Sequence, residues 1–190
     1  MKKLQLAVIC QIIICSLIFL LPRTGAAFGY DVDKHFEKAN ITFPAPESLQ
    51  QAKYFGLSSV RPFKVCNIKA KVVVVEIMSA LCGYCSLNAS KMNEIYNTIG
   101  QNPQLASQVK FLAVGIANTA CQLNAFKQQH KVAFPMLDDT TGVGMAMGDL
   151  PTPTTLIVSC ATGKVLDSHI GLIWSADGFA SKIAELANKN

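Results

Sequence analysis

The sequence predicts one α/β domain built on a mixed central sheet with helices on both faces, and three observations carry that expectation. "KVVVVEIM" (71–78) and "QVKFLAVGI" (108–116) are near-continuous β-branched and apolar runs, as strands covered on both faces require. Between them, "SLNASKMNEIYNTI" (86–99) places Leu87, Met92, Ile95, Tyr96 and Ile99 near helical spacing, so the two strands are joined by a right-handed parallel crossover. "TTLIVSC" (154–160) and "KVLDSHIG" (164–171) then follow as two strands joined at "ATGK", a hairpin in which Gly163 supplies positive φ.

The remaining elements fit around this frame. "ACQLNAFKQQH" (120–130) predicts a helix and "GVGMAMGD" (142–149) a short, weak one. "SADGFASKIAELANK" (175–189) closes the chain as a helix with Ser175 as N-cap. Residues 28–62, including "FPAPESLQQAKYFGLSSVRP", mix prolines with isolated aromatics and read as an irregular lead-in packed on the edge of a domain spanning 63–190. No internal repeat or low-complexity segment is visible.

The first 27 residues have the layout of a secretory signal. Lys2 and Lys3 precede an apolar run from Leu4 to Leu21, Pro22 breaks it, and Gly25 and Ala27 supply small residues for cleavage after Ala27. The run is long enough that an uncleaved signal anchor is the alternative, and only then would the protein touch a membrane. Removing 1–27 takes away Lys2, Lys3 and Arg23, leaving 14 basic residues against 12 acidic ones. No Lys/Arg cluster remains, so no nucleic-acid partner is expected. Five cysteines remain in a chain bound for an oxidising, periplasmic or otherwise extracytoplasmic compartment.

Two of these cysteines stand in "SALCGYCS" (79–86), as Cys82 and Cys85. Cys82 ends a loop at the start of a helix, where unpaired N–H groups and the helix dipole favour an anion and lower a thiol's pKa. Cys85 lies one turn on, on the same face, placed to resolve a mixed disulfide formed at Cys82. A zinc site wants four ligands, usually with a second close pair, whereas Cys66, Cys121, Cys160, His35, His130 and His169 are scattered singly; no metal and no cofactor are expected. Haem attachment needs histidine after the second cysteine, and Ser86 stands there.

Glu76 is a carboxylate inside a run of valines. Buried, it would have a raised pKa and suit a proton shuttle for Cys85; the other reading is an edge acid paired with Lys71 or Lys110. Cys66 precedes the central strand and Cys160 ends the strand beside it, both at the sheet end away from Cys82, so a structural disulfide between them is one expectation and two buried thiols the other. Cys121 reads as a core thiol, and Met145 and Met147 as core filling. "NIT" (40–42) and "NAS" (88–90) are glycosylation triplets expected by chance, and a glycan on Asn88 would block the helix.

The chain resembles the thioredoxin fold, and in particular the exported TlpA/ResA-like thiol-disulfide oxidoreductases, over roughly residues 60–188. Three features in the family's order carry the resemblance: strand, C-x-x-C and helix in "VVVVEIMSALCGYC"; the acid Glu76 six residues before Cys82; and "LPTPTTLIVS", where Pro153 stands at the position of the family's cis-proline. The "QHKVAFPMLDDTTGVGMAMGDL" insertion is similar to that subfamily's extra helix and strand. Leu81 replaces the tryptophan usual before the first cysteine, and Gly83 and Tyr84 are an uncommon inner pair. The resemblance implies exchange of electrons with partner-protein thiols and disulfides, in the reducing direction, fed by an upstream membrane electron donor. It implies catalytic roles for Cys82, Cys85 and Glu76, with Gly83, Tyr84, Thr152 and Pro153 facing the partner. Two rival readings are a thiol peroxidase and a copper-delivery module on the same fold. The peroxidase signature Pro-x-x-x-Thr-x-x-Cys is absent, and the copper module's histidine position near Pro153 is held by Thr152.

Overall fold

The computed structural model describes residues 31–148 and 150–190, which form one compact unit. The expected signal at 1–27 lies outside these residues. Among the described residues, no helix is long and apolar enough to cross a membrane.

The lead-in is more ordered than its composition suggests. Helix α1 (Val32–Ala39) is capped by Asp31, whose carboxylate accepts from the Lys34 N–H, and α2 (Leu49–Phe55) by Ser48, whose hydroxyl accepts from the Gln51 N–H. Between and after them, β1 (Thr42–Phe43) pairs antiparallel with β2 (Phe63–Lys64). Phe63 packs on Phe43 and Phe55 with ring centroids 5.6 and 5.2 Å apart, so the isolated aromatics of the sequence form one cluster. The Tyr54 hydroxyl accepts from the Phe111 N–H at 2.9 Å and ties this segment to the main sheet.

The five strands of that sheet run β5-β4-β3-β6-β7. They are β3 (Val72–Met78), β4 (Val109–Gly115), β5 (Met136–Leu137), β6 (Thr154–Ser159) and β7 (Val165–Ile170). Helix α3 (Gly83–Gly100) and the short α4 (Pro103–Gln108) make the crossover from β3 to β4, which pair in parallel. Helix α5 (Ala120–Gln129), β5 and α6 (Val143–Met147) follow, and β6 then returns antiparallel beside β3. The β6–β7 hairpin turns at Gly163, φ +71°, and α7 (Ala176–Lys189) ends the chain with the Ser175 hydroxyl accepting from the Gly178 N–H.

Every residue of β3 is buried, which explains why all of them but Glu76 are apolar: strand residues alternate between two covered faces. Val72, Val74 and Met78 pack with residues of α3, α5 and α7, while Val73, Val75 and Ile77 serve the opposite layer, where α1 packs against α6 and β7. Glu76 shares the parity of Val74, so it points toward α3 and α7. Two expectations are corrected here. Met147 is buried but Met145 is exposed, because a helix of one and a half turns can offer only one of them to the core. Cys121 is exposed on the first turn of α5, the inward positions being taken by Leu123 and Phe126.

Candidate active site

The cysteine pair sits where the parallel strand β3 ends and α3 begins. Cys82 is the N-cap of α3, with extended backbone (φ −91°, ψ 119°), and Cys85 falls at the third helical position. An N-cap side chain faces the free N–H groups of the first turn, and here that side chain is a thiol. Burial opposes ionisation of Cys82. Hydrogen bonds with the Thr152 side chain, the amides of Cys85 and Tyr84, and the Cys85 thiol outweigh it and hold the pKa below the ordinary thiol value. As a thiol, Cys82 also donates to the Thr152 carbonyl at 3.3 Å.

Cys85 is only 1% exposed. Burial pushes its thiol up to about 12, against a hydrogen bond from the Ser79 N–H to Sγ at 3.5 Å, and the neighbouring Cys82 adds to the rise. One helical turn thus holds two thiols of opposite character: an accessible one biased toward thiolate and a buried one held as a thiol.

The loop before β6 forms the opposite wall. The Thr152–Pro153 bond is cis, Pro153 is buried and Thr152 half-buried, with its carbonyl on the Cys82 sulfur. Gly83 has open space where a Cβ would stand, and Leu81 and Tyr84, on either side of Cys82 and Gly83, are exposed. Around the Cys82 sulfur the exposed neighbours Leu81 and Tyr84 are uncharged.

Glu76 lies beneath this surface, 5% exposed, and burial raises its carboxyl to about 7. The partner on Oε1 is the Asn88 amide, donating at 2.9 Å. Neither lysine considered from the sequence pairs with it: Lys110 donates to the Ala106 carbonyl and lies 5.0 Å from the centre of the Tyr54 ring, and the Lys71 backbone is engaged with Gln108 and Cys160. Asn88 is the residue that sequence reasoning missed. It is fully buried, one turn beyond Cys85 on α3, and its Oδ1 accepts from the Ile173 N–H at 3.0 Å. Its place in the "NAS" triplet drew attention to a glycan that this burial excludes. The usable signal was the spacing from Cys85, which sets an amide on the helix face that carries the buried thiol.

The Cys66–Cys160 clasp is not formed in this structure. All five cysteines among the described residues are free thiols. Cys66 is exposed on a short 3-10 turn (Val65–Asn67), whereas Cys160 is buried, its thiol pushed up to about 12 by burial and by Cys66 nearby. The strand-end placement is as expected from the sequence, with Cys66 exposed and near the buried Cys160. No cluster of three or more metal-ligating side chains occurs among the described residues.

No family model and no curated protein matches the sequence. Solved structures do. A secreted disulfide oxidoreductase of Mycobacterium tuberculosis superposes with a TM-score of 0.55 at 16% identity, over 78% of this chain and 98% of its own. The fold is the thioredoxin fold. A thioredoxin-family thiol:disulfide interchange protein of Chlorobium tepidum gives a TM-score of 0.53 at 17% identity, covering 77% of this chain and 97% of that one. StoA from Bacillus subtilis gives 0.55 at 15%, covering 75% and 96%. In a thioredoxin fold, the end of the central parallel strand and the N-terminus of the next helix meet at one edge, and here that edge holds Cys82 and Cys85.

Alkylation should rank the thiols. At pH 6, iodoacetamide with peptide mapping should modify Cys82 first and the buried Cys85 and Cys160 last, with exposed Cys66 and Cys121 between. Modification of Cys85 before Cys82 would reverse the assigned order of attack.

Proposed function

We propose that this protein is a thiol-disulfide oxidoreductase that exchanges electrons with partner-protein cysteines through Cys82 and Cys85, acting as a reductant outside the cytoplasm. The observation that carries the reading is the division of labour within one helical turn: an accessible thiol held below its ordinary pKa beside a buried thiol held well above it. In the first step the Cys82 thiolate attacks one sulfur of a partner disulfide, forming a mixed disulfide and releasing the other partner sulfur as a thiolate. In the second step Cys85 gives its proton to the Glu76 carboxylate and attacks the Cys82 sulfur. The Cys82–partner bond breaks, the Cys82–Cys85 disulfide forms, and the partner leaves with two reduced sulfurs. Two electrons have moved from the pair to the partner.

The surroundings support this division. The Thr152 backbone lies against the reacting sulfur, and Gly83 and Tyr84 leave room for an extended partner segment to approach. Glu76, near pH 7 in its titration, suits proton exchange at neutral pH. The reducing direction is the part of the proposal carried by the likeness to the TlpA/ResA-like proteins, and the potential of the pair decides it. A reductant working in an oxidising compartment needs its electrons resupplied, which points to a membrane donor upstream. Export is supported by the secretory layout of residues 1–27.

Equilibration with glutathione buffers tests the reading. The Cys82–Cys85 couple should settle below about −230 mV, on the thioredoxin side of the range rather than near the strong oxidants at about −120 mV. A value at the oxidising end would turn the direction around, and failure to form the disulfide at all would end the proposal.

A further inference from the structure

The register of the sheet places three polar side chains in one row. Glu76 on β3 stands opposite Thr155 on β6, and Thr155 stands opposite His169 on β7. Directly opposed residues of antiparallel strands project to the same face with Cβ atoms about 4.5–5.5 Å apart. The row therefore runs from the fully buried central strand to the sheet's edge strand, where His169 is half-buried and packs edge-on against Phe179 of α7. The loop 171–174 closes it from outside: the Leu172 carbonyl meets His169 Nε2 at 2.8 Å, and the Ile173 N–H donates to Asn88, which holds Glu76.

Two details give the row a direction. A carbonyl can only accept, so the Leu172 contact puts the ring hydrogen on Nε2 and leaves Nδ1 of neutral His169 with a lone pair. The Thr155 hydroxyl is completely buried and has no hydrogen-bond partner, although buried hydroxyls are ordinarily paired. It is the open joint between an acid that must gain and lose a proton and a base with a free acceptor.

We propose that Thr155 and His169 are positioning residues that link Glu76 to solvent, the Thr155 hydroxyl passing the Glu76 proton to Nδ1 of His169 at the edge of β7. This rests on the reading of Glu76 as proton acceptor for Cys85. When Glu76 ionises, the Thr155 hydroxyl, unpaired in the structure, turns to donate to the carboxylate. Once Glu76 has taken the Cys85 proton, its O–H donates to the Thr155 oxygen while the Thr155 hydrogen moves to Nδ1. The imidazolium so formed gives its Nε2 proton to water as the Leu172 contact opens at the sheet edge. Transfer of the remaining ring hydrogen from Nδ1 back to Nε2 through water, with rotation of the Thr155 hydroxyl, resets the row. One proton enters from Cys85 and one leaves, with no change of oxidation state in the row. Beside the row, Asp167, two residues before His169, pairs with Lys182 of α7 at 2.9 Å. No ionisable side chain of α3 bonds to Glu76, its partner there being the neutral Asn88.

The test reads Glu76 directly, by the carboxyl ¹³C shift titrated in the full chain, and reads exchange by stopped flow with a protein disulfide. Thr155→Val, which keeps the shape and removes the hydroxyl, should raise the Glu76 midpoint by about half a pH unit or more. It should slow release of the mixed disulfide at least about tenfold while leaving the first attack unchanged. His169→Gln, whose amide can still donate to the Leu172 carbonyl, should slow release similarly, and the double variant should be no slower than either single one, because the two act in series. An unmoved Glu76 midpoint in Thr155→Val, or effects on release that simply add, would overturn the row. If no exchange with any protein disulfide is seen but the midpoint still moves, the row stands and the redox reading fails.

Discussion

Replacing Cys82 by serine should reduce exchange with a protein disulfide at least about a thousandfold, while Cys85→Ser should leave the first attack nearly intact and stop at a stable mixed disulfide. The asymmetry follows from position. Cys82 is the N-cap thiol, lying against the Thr152 carbonyl and reachable from outside, and a serine hydroxyl there cannot attack sulfur at neutral pH. Cys85 is almost wholly buried, and burial pushes its pKa up to about 12, so it is inert toward an external disulfide. In the proposed mechanism it acts only once a disulfide has formed on the neighbouring sulfur. Non-reducing electrophoresis with mass mapping would show a partner captured on Cys82 in Cys85→Ser and none in Cys82→Ser. Capture through Cys85 in the Cys82 variant would invert the mechanism.

The same pair shows what a sequence can and cannot disclose. The placement of Cys82 and Cys85 was legible because it is local: a strand that ends, two cysteines three positions apart, and a helix that begins are consecutive in the chain. Glu76 was legible because a lone carboxylate in "VVVVEIM" breaks a pattern that burial alone would keep apolar. Pro153 needed the resemblance, since nothing in "LPTPTT" distinguishes it from Pro151. The groups that hold the site together were not legible. Asn88 reaches Glu76 across a helix–strand contact, and Ile173 reaches Asn88 from 85 positions away. His169 looked like a lone histidine because its partners depend on strand register, and the register of β6 against β7 is set by a hairpin and a bulge near Ile157 and Val158.

Short elements escaped for a different reason. Helix α4 has six residues and no buried position, so it has no apolar periodicity to read; its marks are Asn102 as cap and Pro103 at the first turn. β5 has only two residues, and its existence depends on pairing with Ala113 and Val114 of β4. The lead-in helices are held by caps and by aromatic contacts to segments distant in sequence, information that a window of prolines and isolated aromatics does not contain.

Glu76→Gln should stabilise the protein by about 3 kcal/mol at pH 8 and change little at pH 4. The folded carboxyl titrates near 7 because burial disfavours its charge, whereas in the unfolded chain it returns to the ordinary value of 4.5. Below 4.5 both states hold the proton and the acid sits neutral against Asn88. As pH rises from 4.5 to 7 the unfolded ensemble loses its proton while the folded state keeps it, so stability falls. Above 7 the folded state must ionise a buried group, and the loss levels off. That loss is comparable to what burial of one aliphatic side chain, such as a valine of the same strand, contributes, so the fold tolerates Glu76 without being indifferent to it. Glutamine keeps the shape and keeps an oxygen for the Asn88 amide, which leucine would leave unpaired. For a domain of this size the gain corresponds to about 6–12 °C in Tm at pH 8. The same variant should slow mixed-disulfide release, because its amide cannot accept the Cys85 proton. Thermal unfolding of both proteins from pH 4 to 8 reads the first effect. Parallel curves would show that the carboxyl titrates at its ordinary value and is not the proton acceptor of this site.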